Sequence, residues 1–386
     1  MKRSVFCAVL ALRLLLAAGA MAEWRGACEY MPLAEETAVL VAYEGNAETL
    51  DIPRKLDGYT LVGIEGGAFL ENETLRELTL PDSIVGIGDR AFYGCQALKR
   101  VTLSSSVETM GEAAFAECPA LTRVVFKTGL QEIPDFAFYN CPKLMSINLP
   151  SSETRIGVSA FGECAGLASV QLSRGLESIA ERAFSGCTAL EQVDLPDTLV
   201  GLGFYAFDQC VNLKRVSLPD SLEYLDIGSR RDDPFWRCPK VVLEVDPDST
   251  AYELFTDDWM PYEPVGARRL VRRDEWAYLD FEPADEDAAW WDEEEAAGDV
   301  RITEYMGDKA SFTVPETLFG CPVTAIGDGV FEDCSMLETL TIQACVTEIG
   351  DDILGGRTDV TVLVEKGSVA ETYCRDNSLT LDYIRR

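Results

Sequence analysis

The sequence predicts an α/β solenoid, in which short repeats stack as coils around one elongated core. Three observations predict it: an aromatic column, a cysteine column in the same register, and a strand-like apolar pattern that precedes a turn. The aromatic column keeps a constant spacing of 23 residues through Phe69, Phe92, Phe115, Phe138, Phe161, Phe184 and Phe207. A fixed period of this size indicates repeats that bury their apolar faces only by stacking on their neighbours.

Each coil of the repeat divides into four elements. Ala91, Phe92 and Cys95 stand at i, i+1 and i+4, a spacing that predicts a short helical turn with one buried side. The pattern Leu98-x-x-Val101-x-Leu103 ends in an alternation typical of a β-strand. Prolines that follow this strand end its hydrogen bonding and begin a turn. A second extended stretch then leads to the next helical turn, so stacking predicts parallel sheets.

The repeated string I-G-x-x-A-F-x-x-C-x-x-L-x-x-V-x-L-P resembles the BspA-type leucine-rich repeat family of bacteria, over most of the chain. This resemblance implies a leucine-rich repeat fold in a secreted or cell-surface protein. Some members of the family are adhesins that bind host matrix proteins or other cells, and most have no assigned ligand.

Internal matches predict two arrays of repeats. The opening Tyr43-x-Gly45, followed by Phe69, recurs with the same spacing as Tyr305-x-Gly307 and Phe331. An apolar strand before a short helix, predicted near 242–253 and again near 362–371, is expected to cap each array. The predicted organisation is a signal peptide at 1–22, a capped array at 23–265, a charged acidic linker at 266–299 and a second short repeat module at 300–386.

Two segments interrupt the period. Phe207 and Phe235 stand 28 residues apart, which predicts an inserted loop around Asp226–Asp233. This loop is either a tolerated insertion or a ligand contact. The linker places an acidic stretch with Trp290 and Trp291 after a cluster of arginines, and it is expected to be solvated, with a calcium- or partner-binding peptide as the alternative.

The first residues predict export. Lys2 and Arg3 precede an apolar stretch, and Ala20-Met21-Ala22 forms an A-x-A cleavage site, as in a secretory signal peptide. No later apolar run approaches the length of about 20 residues that a membrane-spanning helix needs. The sequence therefore predicts a secreted, extracellular or cell-surface protein without a membrane span.

The formal net charge of −33 at pH 7 restricts the partners. Nucleic-acid binding needs a basic surface, and this chain is strongly acidic, so nucleic acid is not an expected partner. Histidine is absent, which removes Ser-His and Cys-His catalysis. With no phosphate-binding glycine loop either, the sequence predicts a protein that is not an enzyme and uses no cofactor and no metal.

Eight of the 13 cysteines follow the repeat, and their spacing predicts buried free thiols. Side chains that point in parallel from neighbouring coils have poor disulfide geometry, and a line of thiols does not surround a metal. Cys28, Cys321, Cys345 and Cys374 stand outside this column, and a disulfide among them is left open.

The strand pattern places two columns of small and polar residues on the outer face of the sheet. The expected ligand-facing residues on or beside these columns are Lys99, Arg100, Arg123, Lys127, Asn148, Gln171, Gln192 and Arg215. The sequence predicts a recognition or adhesion module for a protein or glycan ligand, because solenoids present extended binding surfaces. The alternative is a structural or interaction scaffold within the cell envelope. The oligomeric state is left open.

Overall fold

The computed structural model describes residues 23–33, 36–127, 130–149, 154–226, 233–256, 262–265, 268–272, 279–284, 299–305, 307, 309–318 and 321–384. The predicted signal peptide, the centre of the inserted loop and most of the acidic linker lie outside them. The described chain forms two compact units. One contains the described residues of Met1–Asp257 and Pro264–Leu270, and the other those of Asp258–Glu263 and Val271–Arg386.

Each coil of the first unit contributes two short strands. The strands that carry the outward columns form the front face: β4 (Thr49–Asp51), β7 (Glu77–Thr79), β9 (Arg100–Leu103), β11 (Arg123–Phe126), β13 (Ser146–Asn148), β15 (Ser169–Gln171), β17 (Gln192–Asp194), β19 (Arg215–Ser217) and β21 (Val242–Glu244). The second strands form the back face: β3 (Thr37–Tyr43), β6 (Tyr59–Ile64), β8 (Gly86–Ile87), β10 (Thr109–Met110), β12 (Glu132–Ile133), β14 (Arg155–Ile156), β16 (Ser178–Ile179), β18 (Gly201–Gly203) and β20 (Tyr224–Asp226).

Further elements flank the coils: β1 (Glu23–Arg25), β2 (Cys28–Pro32), β5 (Lys55–Leu56), α1 (Thr250–Thr256), β22 (Tyr262–Pro264) and β23 (Arg269–Arg272). The front strands form three hydrogen-bonded blocks, in the orders β11-β9-β7-β4, β13-β15 and β17-β19-β21-β23-β22. The back strands form two, β1-β2-β3-β6-β8-β10 with β5 on β6, and β12-β14-β16-β18-β20. Successive coils pair in parallel, and the repeat period sets their register, as in Arg100 opposite Arg123.

The short helices predicted in each coil are not confirmed, since these residues form consecutive turns instead. Ala91, Tyr93 and Cys95 donate their N–H groups to carbonyls three residues earlier, whereas Arg90, Phe92 and Gly94 donate to the following coil. From Phe69 to Phe207, backbone φ is positive two residues before and two residues after each column phenylalanine, for example +54° at Arg90 and +69° at Gly94. This alternation turns every second N–H toward the next coil, so the turns form a ladder of their own.

The core is a stack of aromatic rings on the solenoid axis. From Phe69 to Phe235, successive ring centroids are 4.6–5.6 Å apart and the ring planes are within 18° of parallel. Tyr43 extends the stack at one end and Phe255 of α1 at the other. Ala91, Phe92 and Cys95 are all fully buried, as their spacing predicts.

The second unit contains the same kinds of element: β24 (Leu279–Pro283), β25 (Val300–Tyr305), β26 (Ser311–Thr313), β27 (Thr317–Leu318), β28 (Cys321–Ile326), β29 (Thr339–Ile342), β30 (Glu348–Ile349), β31 (Thr361–Val364), α2 (Val369–Asp376) and β32 (Thr380–Tyr383). Its sheets run β24-β25-β28-β27 with β30 on β28, and β26-β29-β31-β32. Phe331 and Leu354 are buried.

The shared Tyr-x-Gly opening has a steric reason in both units. A Cβ added to Gly45 would lie 2.3 Å from the Tyr43 ring, and one added to Gly307 would lie 2.1 Å from the Tyr305 hydroxyl. The tyrosine ring thus folds over the glycine two residues later and packs on the first column phenylalanine, Phe69 or Phe331.

Both predicted strand–helix endings are present, but neither ends its sheet. In the second unit α2 leads to β32, which pairs in parallel with β31. In the first, β23 follows α1 along the chain and adds to β21. The helix therefore covers the end of the core, while an additional strand pairs with the sheet edge.

Candidate binding surface on the front face

The outward columns of the front face are built by the alternation of side chains along each short strand. Val101 and Val124 point inward and are buried, whereas the neighbouring Arg100 and Arg123 are exposed. The buried valines align the coils through the core, so the exposed residues of neighbouring coils also align. The result is a polar surface whose side chains follow the solenoid axis.

The eight residues predicted to face a ligand all lie on or directly beside this face, but in three separate strand blocks. Lys99, Arg100, Arg123 and Lys127 belong to the block of β9 and β11. Asn148 and Gln171 are exposed partners in register on β13 and β15. Gln192 and Arg215 are partners on β17 and β19. The strand pattern thus predicts the outward position of these residues, whereas the division of the face into three blocks becomes visible only in the structure. Their contact with a ligand stays a prediction.

The first block carries a basic cluster, defined here as Lys99, Arg100, Arg123 and Lys127. Arg123 and Arg100 are direct partners on parallel strands, and Lys127 directly follows the last residue of β11. The Lys99 carbonyl accepts the backbone N–H of Arg123 at 3.2 Å, which joins the two coils at this point. All four side chains are exposed. Because the like charges of Arg100 and Arg123 repel, their direct register works against folding.

Ion pairing differs sharply within one column of arginines. Arg215 lies between two carboxylates, with Nη2 2.7 Å from Asp194 and Nη1 3.0 Å from Glu244. Among the described residues, Arg100 pairs with Glu77 alone, at 3.4 Å. Arg123 forms no ion pair with any described residue. Arg215 therefore links neighbouring coils through its ion pairs. The cations of the first block are less neutralised, so their positive charge is accessible to a ligand.

A second set of polar features lies on the turns, where sequence reasoning placed no site. Arg237 binds the buried carboxylate of Asp208 with both ends of its guanidinium, at 2.9 and 2.7 Å. Burial raises the pKa of Asp208, and the hydrogen bonds and charge of Arg237 oppose that rise. Arg182 lies 4.9 Å from the ring centre of Tyr205. These contacts join neighbouring coils. In the sequence they could have been found as residues about one coil apart that have opposite charges, or as a charged residue about one coil from an aromatic one.

The cysteine column also has a role that its sequence pattern did not reveal. Each column thiol donates a hydrogen bond to an aromatic residue's carbonyl oxygen in the preceding coil, with Sγ–O distances of 3.0–3.3 Å. Burial is the main cause that raises the pKa of Cys164 to about 12. The twelve described cysteines are all free thiols. The column thus supplies uncharged donors, which makes these thiols poor nucleophiles.

The second unit contains an acidic groove of about 510 Å³ lined in part by Glu304, Asp328, Glu332 and Asp333. Among the described residues, no group of three or more cysteine, aspartate or glutamate side chains is arranged to hold a metal ion. Within the same residues, no helix has both the length and the apolar character needed to cross a membrane.

The stacked coils, aromatic core and exposed polar sheet define a parallel-sheet solenoid of the leucine-rich repeat class. A family model described as "BspA type Leucine rich repeat region" matches six copies over residues 43–167, 154–230 and 310–369. These ranges include more than half of the chain, and the protein belongs to this family. Membership indicates a binding or scaffold role based on the repeats. No curated protein matches the chain.

Several solved structures are similar to the chain. A leucine rich cell surface protein from Faecalibacterium prausnitzii A2-165 is 23% identical, with 90% of this chain and 77% of that chain covered and a TM-score of 0.49. The T. pallidum leucine rich repeat protein is 31% identical over 44% of this chain and 80% of its own, with a TM-score of 0.42. A leucine-rich repeat protein from Bacteroides ovatus ATCC 8483 is 20% identical, with 94% and 76% covered and a TM-score of 0.48. With TM-scores below 0.5, these similarities add nothing to the family match.

Proposed function

We propose that the protein is a secreted or cell-surface recognition module that binds a protein or glycan ligand through its front face and carries out no catalysis. The observation that carries this proposal is the set of exposed polar side chains that stand in register within each block of the front strands. Leucine-rich repeat solenoids offer such faces as extended binding surfaces. The family to which the chain belongs is consistent with a position outside the cell.

The composition of the front face favours contacts that are individually weak and numerous. Apart from Val125, its outward columns between β7 and β19 are made of small, polar and charged residues such as Ser146, Ser169 and Asn148. Tight protein interfaces usually rely on buried tryptophan, tyrosine or arginine anchors. Several neighbouring weak contacts on one ligand reach useful affinity through effective concentration. This reasoning supports a long or repetitive ligand.

The domain boundaries form part of the same proposal. A leader at 1–22 would direct export, the capped array at 23–265 would carry the binding face, and the acidic stretch at 266–299 would separate it from a second repeat module at 300–386. The family match at 310–369 supports repeats in that last segment.

The test is a binding array of the mature chain, from Glu23, against matrix proteins and glycans at physiological salt. One variant changes all three front blocks through Arg123→Ala, Gln171→Ala and Gln192→Ala. A matched control makes the same change in net charge at three exposed residues on or beside the back strands through Thr109→Ala, Gln131→Ala and Arg155→Ala. The expected result is saturable binding that the front-face variant weakens and the back-face variant retains.

Two results would overturn the proposal. Equal loss in both variants would place the ligand elsewhere. An array without any saturable hit, together with capture of envelope components by the purified chain, would replace it with the scaffold alternative.

A further inference from the structure

The basic cluster of β9 and β11 is unusual in a chain with 66 acidic and 33 basic residues. Lys99, Arg123 and Lys127 form no ion pair with any residue in the described part of the chain. Arg100 and Arg123 face each other directly in register, an arrangement that works against folding. These cations therefore lack neutralising carboxylates although the chain has twice as many acidic as basic residues.

A second Lys-Arg pair at the same coil position provides the comparison. Lys214 and Arg215 stand five coils after Lys99 and Arg100, on the same column of the front face. Lys214 pairs with Glu191 at 3.1 Å, and Arg215 pairs with both Asp194 and Glu244. Carboxylates can therefore neutralise a Lys-Arg pair at this position of the repeat. The unpaired cations of the first block follow from the residues of that block and not from the repeat itself.

We propose that the basic cluster binds an anionic glycan, a polysaccharide that carries carboxylate or sulfate groups and lies along the solenoid axis. This inference rests on the proposed front-face function and names its ligand class. Guanidinium and ammonium groups make charge-assisted hydrogen bonds to such anions, and these are among the stronger contacts at an exposed surface. The cluster supplies four cations against the single paired carboxylate of Glu77.

The geometry favours a glycan over other polyanions. Neighbouring coils repeat at about 4.8 Å along the axis, and a sugar ring advances an extended polysaccharide by a similar step. Thr102 lies among the cations and offers a hydroxyl group to a sugar, while the Thr122 hydroxyl donates to the Lys99 carbonyl at 3.0 Å and can accept a hydrogen bond from a sugar hydroxyl. An acidic peptide in extended form presents its same-side carboxylates at a longer repeat, since successive side chains alternate. Nucleic acid is disfavoured because its binding needs a broad basic surface, whereas this chain is acidic overall and the cluster has four cations.

The overall negative charge also sets the conditions under which binding is expected. At 0.15 M salt the screening length is about 8 Å, so distant carboxylates are largely screened while direct contacts at the cluster persist. Raising the salt to about 0.5 M shortens that length further and weakens the contacts themselves. Affinity is therefore expected to fall over this range.

The experiment measures binding of the mature chain to immobilised dextran sulfate and polygalacturonate at 0.15 M NaCl, with neutral dextran and poly-L-glutamate as comparisons. The test variant is Lys99→Gln with Arg123→Gln. The control is Arg155→Gln with Arg174→Gln, which makes the same change in charge at exposed residues outside the front face. Circular dichroism and thermal unfolding verify that both variants fold.

The expected result is saturable binding to at least one anionic glycan that the test variant weakens by roughly tenfold or more, as loss of charge-assisted contacts implies. The control variant is expected to stay within about twofold of the wild type. Glu77→Gln removes the ion-pair partner of Arg100 and is expected to strengthen binding. A misfolded variant would bind more weakly, so stronger binding cannot result from poor folding. The preferred anion, sulfate or carboxylate, follows from which polysaccharide binds.

Three results would overturn the inference. The first is failure of both anionic glycans to bind, and the second is equal weakening by the test and control variants. The third is tighter binding of poly-L-glutamate than of either glycan, which would assign the cluster to acidic peptides. Binding of a protein or neutral glycan through the front face, without anionic glycan, would leave the proposed function intact while removing this inference.

Discussion

The thiol of Cys118 donates a hydrogen bond to the carbonyl oxygen of Phe92, with 3.3 Å between Sγ and O, across the boundary of two coils. The same carbonyl accepts the backbone N–H of Cys95 at 3.4 Å. The thiol thus satisfies the second lone pair of a buried oxygen that no water reaches. A cysteine at this position fills space as a small apolar side chain does and also removes an unpaired acceptor.

Removal of that thiol is expected to cost stability. Cys118→Ala leaves a small cavity and one unused acceptor position, for a loss of roughly 1–2 kcal/mol in the free energy of unfolding. Urea denaturation of the variant and the wild type measures it. The half-buried Cys345→Ala is the control and is expected to change stability by less than about 0.5 kcal/mol. Equal effects at both positions would contradict a special role for the column thiol.

The column thiols are expected to be unreactive in the folded protein. Burial is the main cause that raises the pKa of Cys164 to about 12, so almost none of it is thiolate at pH 8. Iodoacetamide labelling followed by mass spectrometry is expected to modify Cys28 and Cys345 first, and the column only after unfolding. Disulfides between adjacent coils, detected under denaturing and non-reducing conditions, would contradict this prediction.

The aromatic stack is expected to depend on each of its rings. Phe138 lies 5.6 Å from Phe115 and 5.4 Å from Phe161 between ring centroids, and it is fully buried. Phe138→Ala is expected to cost roughly 3–5 kcal/mol, measured as a lower urea midpoint and melting temperature. The control is Met145→Ala, since Met145 is 60% exposed on the next stretch of the same coil. A small effect at Phe138 would mean that the coils do not share one core.

Close packing of coils at Gly111 gives a steric prediction. A Cβ at Gly111 would lie 2.3 Å from the backbone nitrogen of Asp89, which cannot move without separating two coils. Gly111→Ala is therefore expected to destabilise by roughly 1–3 kcal/mol. At Gly162 the nearest atom belongs to the Tyr139 ring, at 3.1 Å, and this side chain can turn away. Thermal unfolding of both variants is expected to show the larger loss for Gly111→Ala, and the reverse order would refute the argument.

A pH-dependent contact lies at the end of the second unit. Glu371 accepts hydrogen bonds from the Gly367 N–H and from the hydroxyl of Tyr383, and it pairs with Arg375. The Gly367 bond is the largest cause that lowers the pKa of Glu371 from 4.5 to about 2. A lowered pKa means that the unfolded chain takes up the proton first, so the contribution is complete above pH 4.5 and is lost as the pH falls toward 2.

The corresponding measurement compares melting temperatures of the wild type and Glu371→Gln from pH 6 down to pH 2. The wild type is expected to melt higher at pH 6, with a difference that shrinks below pH 4.5. A difference that stays constant over the whole range would show that the carboxylate charge contributes nothing.

The periodic part of the fold could be predicted from the sequence because one spacing is imposed on every coil. Phe92 and Cys95 must recur wherever a coil stacks, so their columns identify the core and the period together. The absence of the expected short helices could not be predicted in the same way. It depends on positive φ at residues such as Arg90 and Glu117, and side chains of these types carry no signal for that conformation.

The sequence also predicts the candidate binding surface only in part. Alternation along the strands predicts that Arg100, Arg123 and Arg215 all point outward, and they do. Which of them is neutralised depends on neighbours from other coils, such as Glu244, which stands 29 residues from Arg215 and so does not follow the period of 23. The repeat spacing predicts which residues share the outward column, whereas the ion pairs within that column can be assigned only from the structure.

The ladder of the turns has a consequence for how such a molecule can change in length. Every boundary between coils is held by donors and acceptors at the same repeat positions, as in Phe92 N–H to Ala114 O and Phe115 N–H to Ala137 O. A deletion or duplication of 23 residues, begun anywhere within a regular coil, restores the same partners at the new boundary. Duplication or deletion of whole repeats during evolution can therefore lengthen or shorten the front face in steps of about 4.8 Å, with the contacts between coils unchanged.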